Sequence, residues 1–395
     1  MKRRNLLRIA ALVLPAFLYG LYRFSVGVLV PAFETTYGIN DATAGEVVSA
    51  SVGMVGLGVI SSGYLAQRFG DQKAIVAGFL IFSVPMGIIT LGGGLAPFSA
   101  LFLVAGFGSG LMITPSYGVA ASLFPDRKGF AASFVTSFYS FAGFIGPSSA
   151  SYLLSTYGWH APFAEFAAVG LAFAAVFIAA LGLGGRASAG GALGAFGELL
   201  RNRVVLVLSV AAFFADFGFL VYLSWAPKFL VSTFGAVGSV TTIDSIFGIG
   251  LGLGGLGTLT GGFLFDRIGG RKSATAAAAL PAVMMLGVYL AGSFPVMIAF
   301  VILTGILANM FWSLITAMCQ VNVPEEKRTA ATSVVQTSGF VGAFLGPGIA
   351  GVAGGPVAPV LIATSVLPYV VLMAVVLTLY RDPKDLNRGG RPTGR

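Results

Sequence analysis

Residues 262–272 read GFLFDRIGGRK, and residues 63–73 read GYLAQRFGDQK. Gly63, Leu65, Arg68, Gly70 and Lys73 recur as Gly262, Leu264, Arg267, Gly269 and Lys272, each pair 199 positions apart. A constant offset between such segments points to a duplicated half-molecule. Pro125 and Lys128 recur at the same offset as Pro324 and Lys327. Gly146-Pro147 recurs as Gly346-Pro347 one residue further along, and Pro31-Ala32-Phe33 resembles Pro227-Lys228-Phe229. The duplication therefore covers most of the chain.

Composition says where such a molecule can live. Of the 395 residues, 56% are hydrophobic and 9% are charged. Soluble domains carry about 25% charged residues, so a water-soluble surface cannot be built here. The hydrophobicity also excludes disorder. The 56 glycines suit helices that approach closely inside a membrane. A net charge of +9 comes from scattered clusters rather than a continuous basic face, which argues against nucleic acid as a partner. Cys319 is the only cysteine and His160 the only histidine, so neither a disulfide nor a metal or other cofactor is expected. The opening MKRRNLLRIAALVLPAFLYG mimics a signal peptide, but its apolar run continues to Phe33 without a small-residue cleavage site. It reads as a first membrane span.

A spanning helix needs about 20 apolar residues. Runs of that kind lie at 9–34, 43–66, 74–93, 97–123, 129–155 and 160–184, and again at 203–231, 240–265, 273–293, 295–321, 328–355 and 358–380. They are too long for barrel strands. The expected fold is an all-α integral membrane protein of twelve transmembrane helices. Lysine and arginine accumulate on the cytoplasmic side of membrane proteins. With the N-terminus inside, 21 of the 23 basic residues fall on that side, and only Arg23 and Lys228 lie within apolar runs. Both termini are therefore expected in the cytoplasm, and the halves are parallel repeats. Residues 1–185 form an N-terminal six-helix bundle, 186–202 a cytoplasmic linker, and 203–395 a C-terminal six-helix bundle with a short basic tail. Short loops suggest a multi-pass monomer in a prokaryotic inner membrane, with the lipid bilayer as its first partner.

Residues 262–272, and the weaker copy at 63–73, are similar to the G-x-L-x-D-R-x-G-R-K signature of the major facilitator superfamily of secondary transporters. Twelve spans in two halves agree with that family over nearly the whole length. The resemblance implies alternating access, with the substrate between the halves near the bilayer midplane. It marks Gly63, Arg68, Gly70, Lys73, Gly262, Asp266, Arg267, Gly269, Arg271 and Lys272 as gate residues, with Asp266 as the acid of a cytoplasmic latch. The first copy departs from the pattern at Gln67 and at Asp71-Gln72. Without the resemblance, these loops read as tight, charged turns in which glycine permits the turn and arginine snorkels. Gly146-Pro147 and Gly346-Pro347 are expected bends, because proline removes a helix hydrogen bond.

Charges inside a membrane are costly and mark function by default. From the helix rise, Arg23 lies roughly 21 Å and Asp216 roughly 20 Å into a core of about 30 Å. The repeat makes Gly20 the counterpart of Asp216, with Arg23 one turn beyond. The run Arg23-Phe24-Ser25-Val26-Gly27-Val28-Leu29-Val30-Pro31 resembles span one of the anion:cation symporter branch, in which an arginine contacts organic anions. Residues 222–230, YLSWAPKFL, resemble that branch's Y-x-L-x-W-x-P-x-Y-L. Tyr22 stands where that branch has an aspartate, and its usual acid in span four is missing. The planar guanidinium suits a carboxylate. The alternative is that Arg23 is structural glue, paired with Asp216 or with carbonyls. Asp216 is a candidate proton carrier, because a substrate bound to Arg23 would break such a pair.

Glu46, Glu165 and Asp244 are further proton-coupling candidates, against a plainer reading as a solvated rim shared with Glu34 and Asp41. Lys228 is expected to snorkel outward. Tyr19, Tyr22, Tyr117, Tyr139, Tyr222, Trp225, Asn309, Trp312 and Gln336 complete the substrate-site candidates, with interhelical packing as the competing role for each. The reading is a secondary transporter moving a small organic anion of the carboxylate type, coupled to protons. The alternative is a proton-driven exporter of lipophilic or drug-like compounds, which a central arginine disfavours for cations. No nucleophile–base or metalloprotease pattern supports an enzyme. The short tails offer no effector segment for a receptor.

Overall fold

In a computed structural model, the chain is described over residues 2–124, 128–184, 199, 201–323 and 328–380, apart from the side chains of 2–6, Gln67, Ala121, 128–133, Asp266, Thr316, Gln320 and 328–330. The latch role expected of Asp266, nearly all of the 186–202 linker, Pro125, Pro324, Lys327 and the basic tail lie outside the described residues.

The N-terminal half runs α1 (Lys2–Tyr37), α2 (Asp41–Phe69), α3 (Asp71–Ile89), α4 (Leu95–Leu123), α5 (Lys128–Tyr157) and α6 (Ala161–Leu181). The C-terminal half runs α7 (Arg203–Phe234), α8 (Val240–Gly252), α9 (Gly254–Ile268), α10 (Gly270–Leu290), α11 (Phe294–Ala308), α12 (Met310–Asn322) and α13 (Arg328–Val352). Its last span is α14 (Ala358–Leu361), a π turn at Ile362–Val366, and α15 (Leu367–Leu379). The architecture is all-helical, as a bilayer demands of any span that must satisfy its own backbone. Among the described residues, ten segments are long and apolar enough to cross a membrane. α5 and α13 are not among the ten. Both are rich in serine, threonine and glycine, and such residues let backbones approach where water supplies no driving force.

The duplication is visible in the backbone. Gly70 is the one-residue link between α2 and α3, with φ 93° and ψ 150°. Gly269 links α9 to α10 with φ 83° and ψ 168°. That region is essentially closed to residues with a Cβ. In each half two spans press together on small residues. A Cβ on Gly58 would fall on the Phe107 carbonyl, and one on its repeat counterpart Gly257 would fall on the Ile306 carbonyl.

The repeat is broken at one matched pair. In the N-terminal half Val55 packs its backbone onto Gly110. At the corresponding positions the C-terminal half has Gly254 packed onto Asn309, so side chain and gap have changed places. Here the spans are interrupted, at Leu253 between α8 and α9 and at Asn309 between α11 and α12. Asn309 returns its Nδ2 to the Gly305 carbonyl at 2.8 Å. In this conformation Asn309 takes the packing role that competed with substrate contact in the sequence reading.

The halves meet along α1–α7, α2–α13 and α5–α8. Residues at the α1–α2 and α7–α8 ends define a distal face, opposite the basic face that carries the two repeated loops. Contacts across the seam include Gly348 N donating to Ser49 Oγ at 2.7 Å and Asp244 of α8 against Ser151 of α5. Both lie in the distal half.

Candidate functional site

Arg23 projects from the middle of α1 where α1 meets α7. Its Nη1 donates to the Tyr19 hydroxyl at 2.5 Å, and its guanidinium stands 5.7 Å from the Tyr19 ring centre. Tyr19 stacks on Tyr139 of α5 with centroids 5.4 Å apart. Arg23 Nε is buried and has no hydrogen-bond partner, which leaves one edge of the fork free. Asp216 of α7 is 3% exposed. Its Oδ1 has no partner, while the carboxylate meets the Trp312 side chain. Arg23, Tyr19, Tyr139 and Asp216 act on one another electrostatically. Arg23 and Asp216 form no ion pair with each other, however, so they face one locus without touching.

The repeat explains how both groups fit. Gly20 packs beneath Tyr139 of α5. Its counterpart Asp216 lies over Gly339 of α13, the position 200 residues after Tyr139. One half fills the space with a phenol from α5, and the other fills it with a carboxylate from α7. The remaining cavity, lined by Tyr19, Tyr22, Arg23, Ser51, Leu220 and Ser224 among others, is about 20 Å³, room for one water molecule. In this conformation the locus is shut.

Not all the expected residues gather here. Tyr22 is buried, donating to or accepting from Ser51 Oγ at 2.5 Å, with its ring edge-on to Phe82 and Phe102. Its ring belongs to the N-terminal core, and the residue also lines the cavity. Tyr117 is at the exposed side, with its hydroxyl 3.3 Å from Thr136 Oγ1, and it acts on Tyr19 and Tyr139. Trp312 lies at Asp216 and Gly339. Gln336 is half-buried on α13, one turn before Gly339. Tyr222 turns away and packs on Phe247 with centroids 5.4 Å apart. Trp225 is fully buried nearer the distal face, where Nε1 donates to the Pro347 carbonyl at 3.0 Å and its ring packs on Gly45 and Gly351. Of these two residues, Tyr222 enters the C-terminal core and Trp225 closes the distal seam, and neither lines the cavity.

The proton candidates divide in the same way. Glu46 is exposed and does not face the seam. Glu165 stands against Ser149 within the N-terminal half. Asp244 is 2% exposed at the α5–α8 seam. Lys228 reaches toward the distal end, where it forms ion pairs with both Glu34 and Asp41. Glu34 and Asp41 are thus joined to the other half rather than simply hydrated.

Among the repeated-loop residues, Arg68 reaches the Tyr64 hydroxyl at 3.2 Å, Arg267 covers the Phe263 ring at 4.3 Å, and Arg271 donates to the Leu377 carbonyl. Lys73 and Lys272 are exposed. Gly63 and Gly262 have open space where a Cβ would stand. Gly146 packs on the Leu21 carbonyl and Gly346 on the Phe217 carbonyl, and the following Pro147 and Pro347 lie inside continuous helices. Ser51, Ser224 and Gly339 were not predicted from the sequence. A serine within an apolar run was the available signal for the first two.

The model of the Major Facilitator Superfamily matches residues 12–347 and again 230–394. The chain belongs to the major facilitator superfamily. This superfamily member is 30% identical over 150 residues to the 4-hydroxybenzoate transporter PcaK of Pseudomonas aeruginosa, covering 36% of this chain and 32% of that relative. It is 26% identical over 346 residues to the Protein TsgA homolog of Citrobacter koseri, covering 81% of this chain and 82% of the relative. Its fold is shared with the nucleoside transporter NupG, at a TM-score of 0.75 and 16% identity over 95% of this chain and all of that one. A bacterial homolog of the human lysosomal transporter Spinster aligns with a TM-score of 0.73 and 17% identity, covering 94% and 93% of the two chains. The superfamily member is a multi-pass inner-membrane transport protein and not an enzyme.

Proposed function

We propose that this transporter moves a small organic anion of the carboxylate class by alternating access, coupled to protons. The observation that carries the reading is Arg23. It is a permanent cation at the junction of the two halves, held by one phenol and left with a buried, unpartnered Nε. A carboxylate would satisfy that free edge with charge-assisted hydrogen bonds. Tyr19 and Tyr139, stacked beside the guanidinium, offer an aromatic wall. A ring-bearing carboxylate such as 4-hydroxybenzoate fits both features, and a partial likeness to a 4-hydroxybenzoate transporter agrees with it.

Asp216 then supplies the coupling. Its carboxylate acts on Arg23 without pairing with it, so a bound anion and a charged Asp216 compete for one cation. A proton on Asp216 removes the competition. We place the basic face in the cytoplasm, with both termini there. Contacts between the halves on the distal side then describe a carrier closed to the outside.

Uptake of labelled carboxylates, 4-hydroxybenzoate among them, into proteoliposomes under an imposed pH gradient tests the proposal. Accumulation driven by the gradient is expected. A panel in which only apolar cations bind would overturn it.

A further inference from the structure

One acid lies inside the α5–α8 seam that joins the halves. Asp244 is one turn into α8, about 6 Å from its distal end, and is 2% exposed. Asp244, Gly248 and Gly252 are four residues apart and share one face of α8, as Gly143, Pro147 and Ser151 share one face of α5. The two faces are pressed together. A Cβ on Gly248 would stand 2.8 Å from the Gly143 carbonyl oxygen, and one on Gly252 would stand 2.3 Å from the Phe144 ring. Asp244 continues this dry face onto Ser151. Ser151 is itself 2% exposed, and its Oγ faces the acid from beyond hydrogen-bond range, buried and without a bonded partner.

The repeat shows that the fold does not require an acid at this place. Offsets of 199 and 200 map Asp244 to Gly45 of α2 and Ser151 to Gly351 of α13. At that second seam both glycines pack on the Trp225 ring, and the halves close there without a carboxyl group.

No cation meets Asp244. α8 packs on α5, α11, α7, α1 and α9. α11 carries no titratable side chain. At this end α5 brings only the exposed phenols of Tyr152 and Tyr157. α1 and α7 bring Tyr37, Tyr222, Glu34 and Lys228, the last two paired with each other. Arg23 and Asp216 lie deeper, at the central locus, and Arg267 of α9 lies at the basic face. Among the described residues, Ser151 is the one group that acts on Asp244. A carboxylate shut away from water with no cation sheds its charge by binding a proton. The α8 N-terminus does not alter this, because Asp244 stands beyond the first turn, where the helix dipole has lost its effect.

We propose that Asp244 is a proton site that latches the distal seam, a neutral acid against Ser151 when the seam is closed and a hydrated carboxylate when it is open. Parting α5 from α8 brings water to the acid, and its proton leaves to the distal solution. Closing takes one proton back from the same side. The closed state therefore holds one proton more than the open state. Above about pH 4, where a hydrated aspartate ionises, falling pH favours closure and rising pH favours opening. The proposal rests on the alternating-access reading given above and adds a proton site at the rim, distinct from Asp216.

The test uses full-length protein in lipid nanodiscs, with spin labels on Ser155→Cys near the end of α5 and Val237→Cys just before α8. Both positions are exposed, and the native Cys319 is fully buried. Without substrate, the open-to-closed ratio is expected to rise as pH climbs from 5 to 8, by up to about tenfold per pH unit for one proton. Asp244→Asn cannot ionise, so its ratio should match wild type at pH 5 and fall below it at pH 8. Ser151→Ala keeps the acid and should keep the wild-type slope. A wild-type ratio that stays flat or falls as pH rises overturns the proposal, as does an Asp244→Asn ratio that follows wild type throughout. If the ratio shifts with 4-hydroxybenzoate but not with pH, the transporter reading stands and the proton site falls. If it shifts with pH but with no carboxylate, the proton site stands and the carboxylate reading falls. If it shifts with neither, both fall.

Discussion

The Asp216 carboxylate lies over Gly339, with Oδ2 only 2.9 Å from the position a Cβ would take there. The same Cβ would stand 3.0 Å from the Trp312 ring. A buried acid thus depends on a missing side chain one helix away. Gly339→Ala is expected to displace Asp216 or Trp312, at an overpacking cost of about 1–3 kcal/mol. Substrate uptake should fall several-fold, and a thermal melt run beside the uptake assay separates the two effects. Unchanged uptake and unchanged melting would show that the site is looser than this contact implies.

Arg23 presents a planar fork, of which one edge is used by Tyr19. Arg23→Lys keeps the charge but loses the second donor edge. Charge-assisted hydrogen bonds contribute about 1.5–3 kcal/mol, so the KM for a carboxylate should rise about 10- to 100-fold. Arg23→Gln should raise it at least as much. The measurement is initial uptake rate against substrate concentration. A neutral variant with wild-type KM would remove Arg23 from the binding role.

Asp216→Asn keeps the shape of the side chain and removes its charge. Substrate binding should persist and equilibrium exchange should continue. Uphill accumulation under a pH gradient should be lost, along with the pH dependence of uptake. Counterflow and gradient-driven uptake, measured on the same vesicles, distinguish the two behaviours. A variant that still accumulates substrate would show that coupling lies elsewhere.

Trp225→Phe retains a buried ring but removes the donor to the Pro347 carbonyl. The Pro347 carbonyl keeps its place in the helical ladder of α13, so the loss is that of one hydrogen bond, about 0.5–1.5 kcal/mol. That carbonyl lies on the closed distal seam, where Gly348 N also bonds Ser49. Labelling of a distal cysteine should become faster in the variant, because the closed state is weakened relative to the open one. An unchanged labelling rate would place the bond outside the gate.

Gly70 and Gly269 hold φ values of 93° and 83°. Gly70→Ala or Gly269→Ala should cost about 1–3 kcal/mol each through backbone strain. Gly63→Ala and Gly262→Ala meet open space and lie within helices, where alanine is favoured by about 1 kcal/mol. Melting temperatures of the four variants should split into a lowered pair and an unchanged or raised pair.

Much of this was legible from the chain itself. Span lengths, the two halves and the loop glycines follow from hydropathy and from an offset of 199, because both are local or periodic signals. Arg23 and Asp216 stood out because a charge inside an apolar run has few plausible roles. Orientation around each helix axis was harder to read. Tyr222 and Trp225 are three residues apart on α7, yet one enters the C-terminal core and the other plugs the distal seam. The Lys228 pairs join positions 194 and 187 residues apart, at the ends of three helices. No periodicity reports such a meeting. The packing of Asn309 into the room left by Gly254 was not legible either, because its polarity alone points equally to a ligand and to a helix contact.

The interruptions at Leu253 and Asn309 touch each other through Gly254, while their counterparts in α2 and α4 are unbroken rods. Both break residues keep right-handed backbone angles, so each span carries on in nearly the same direction through its break. Pseudo-symmetry of sequence has therefore left two walls that differ in local helix geometry at one matched position, with a side chain in one filling the gap that the other leaves to backbone contact.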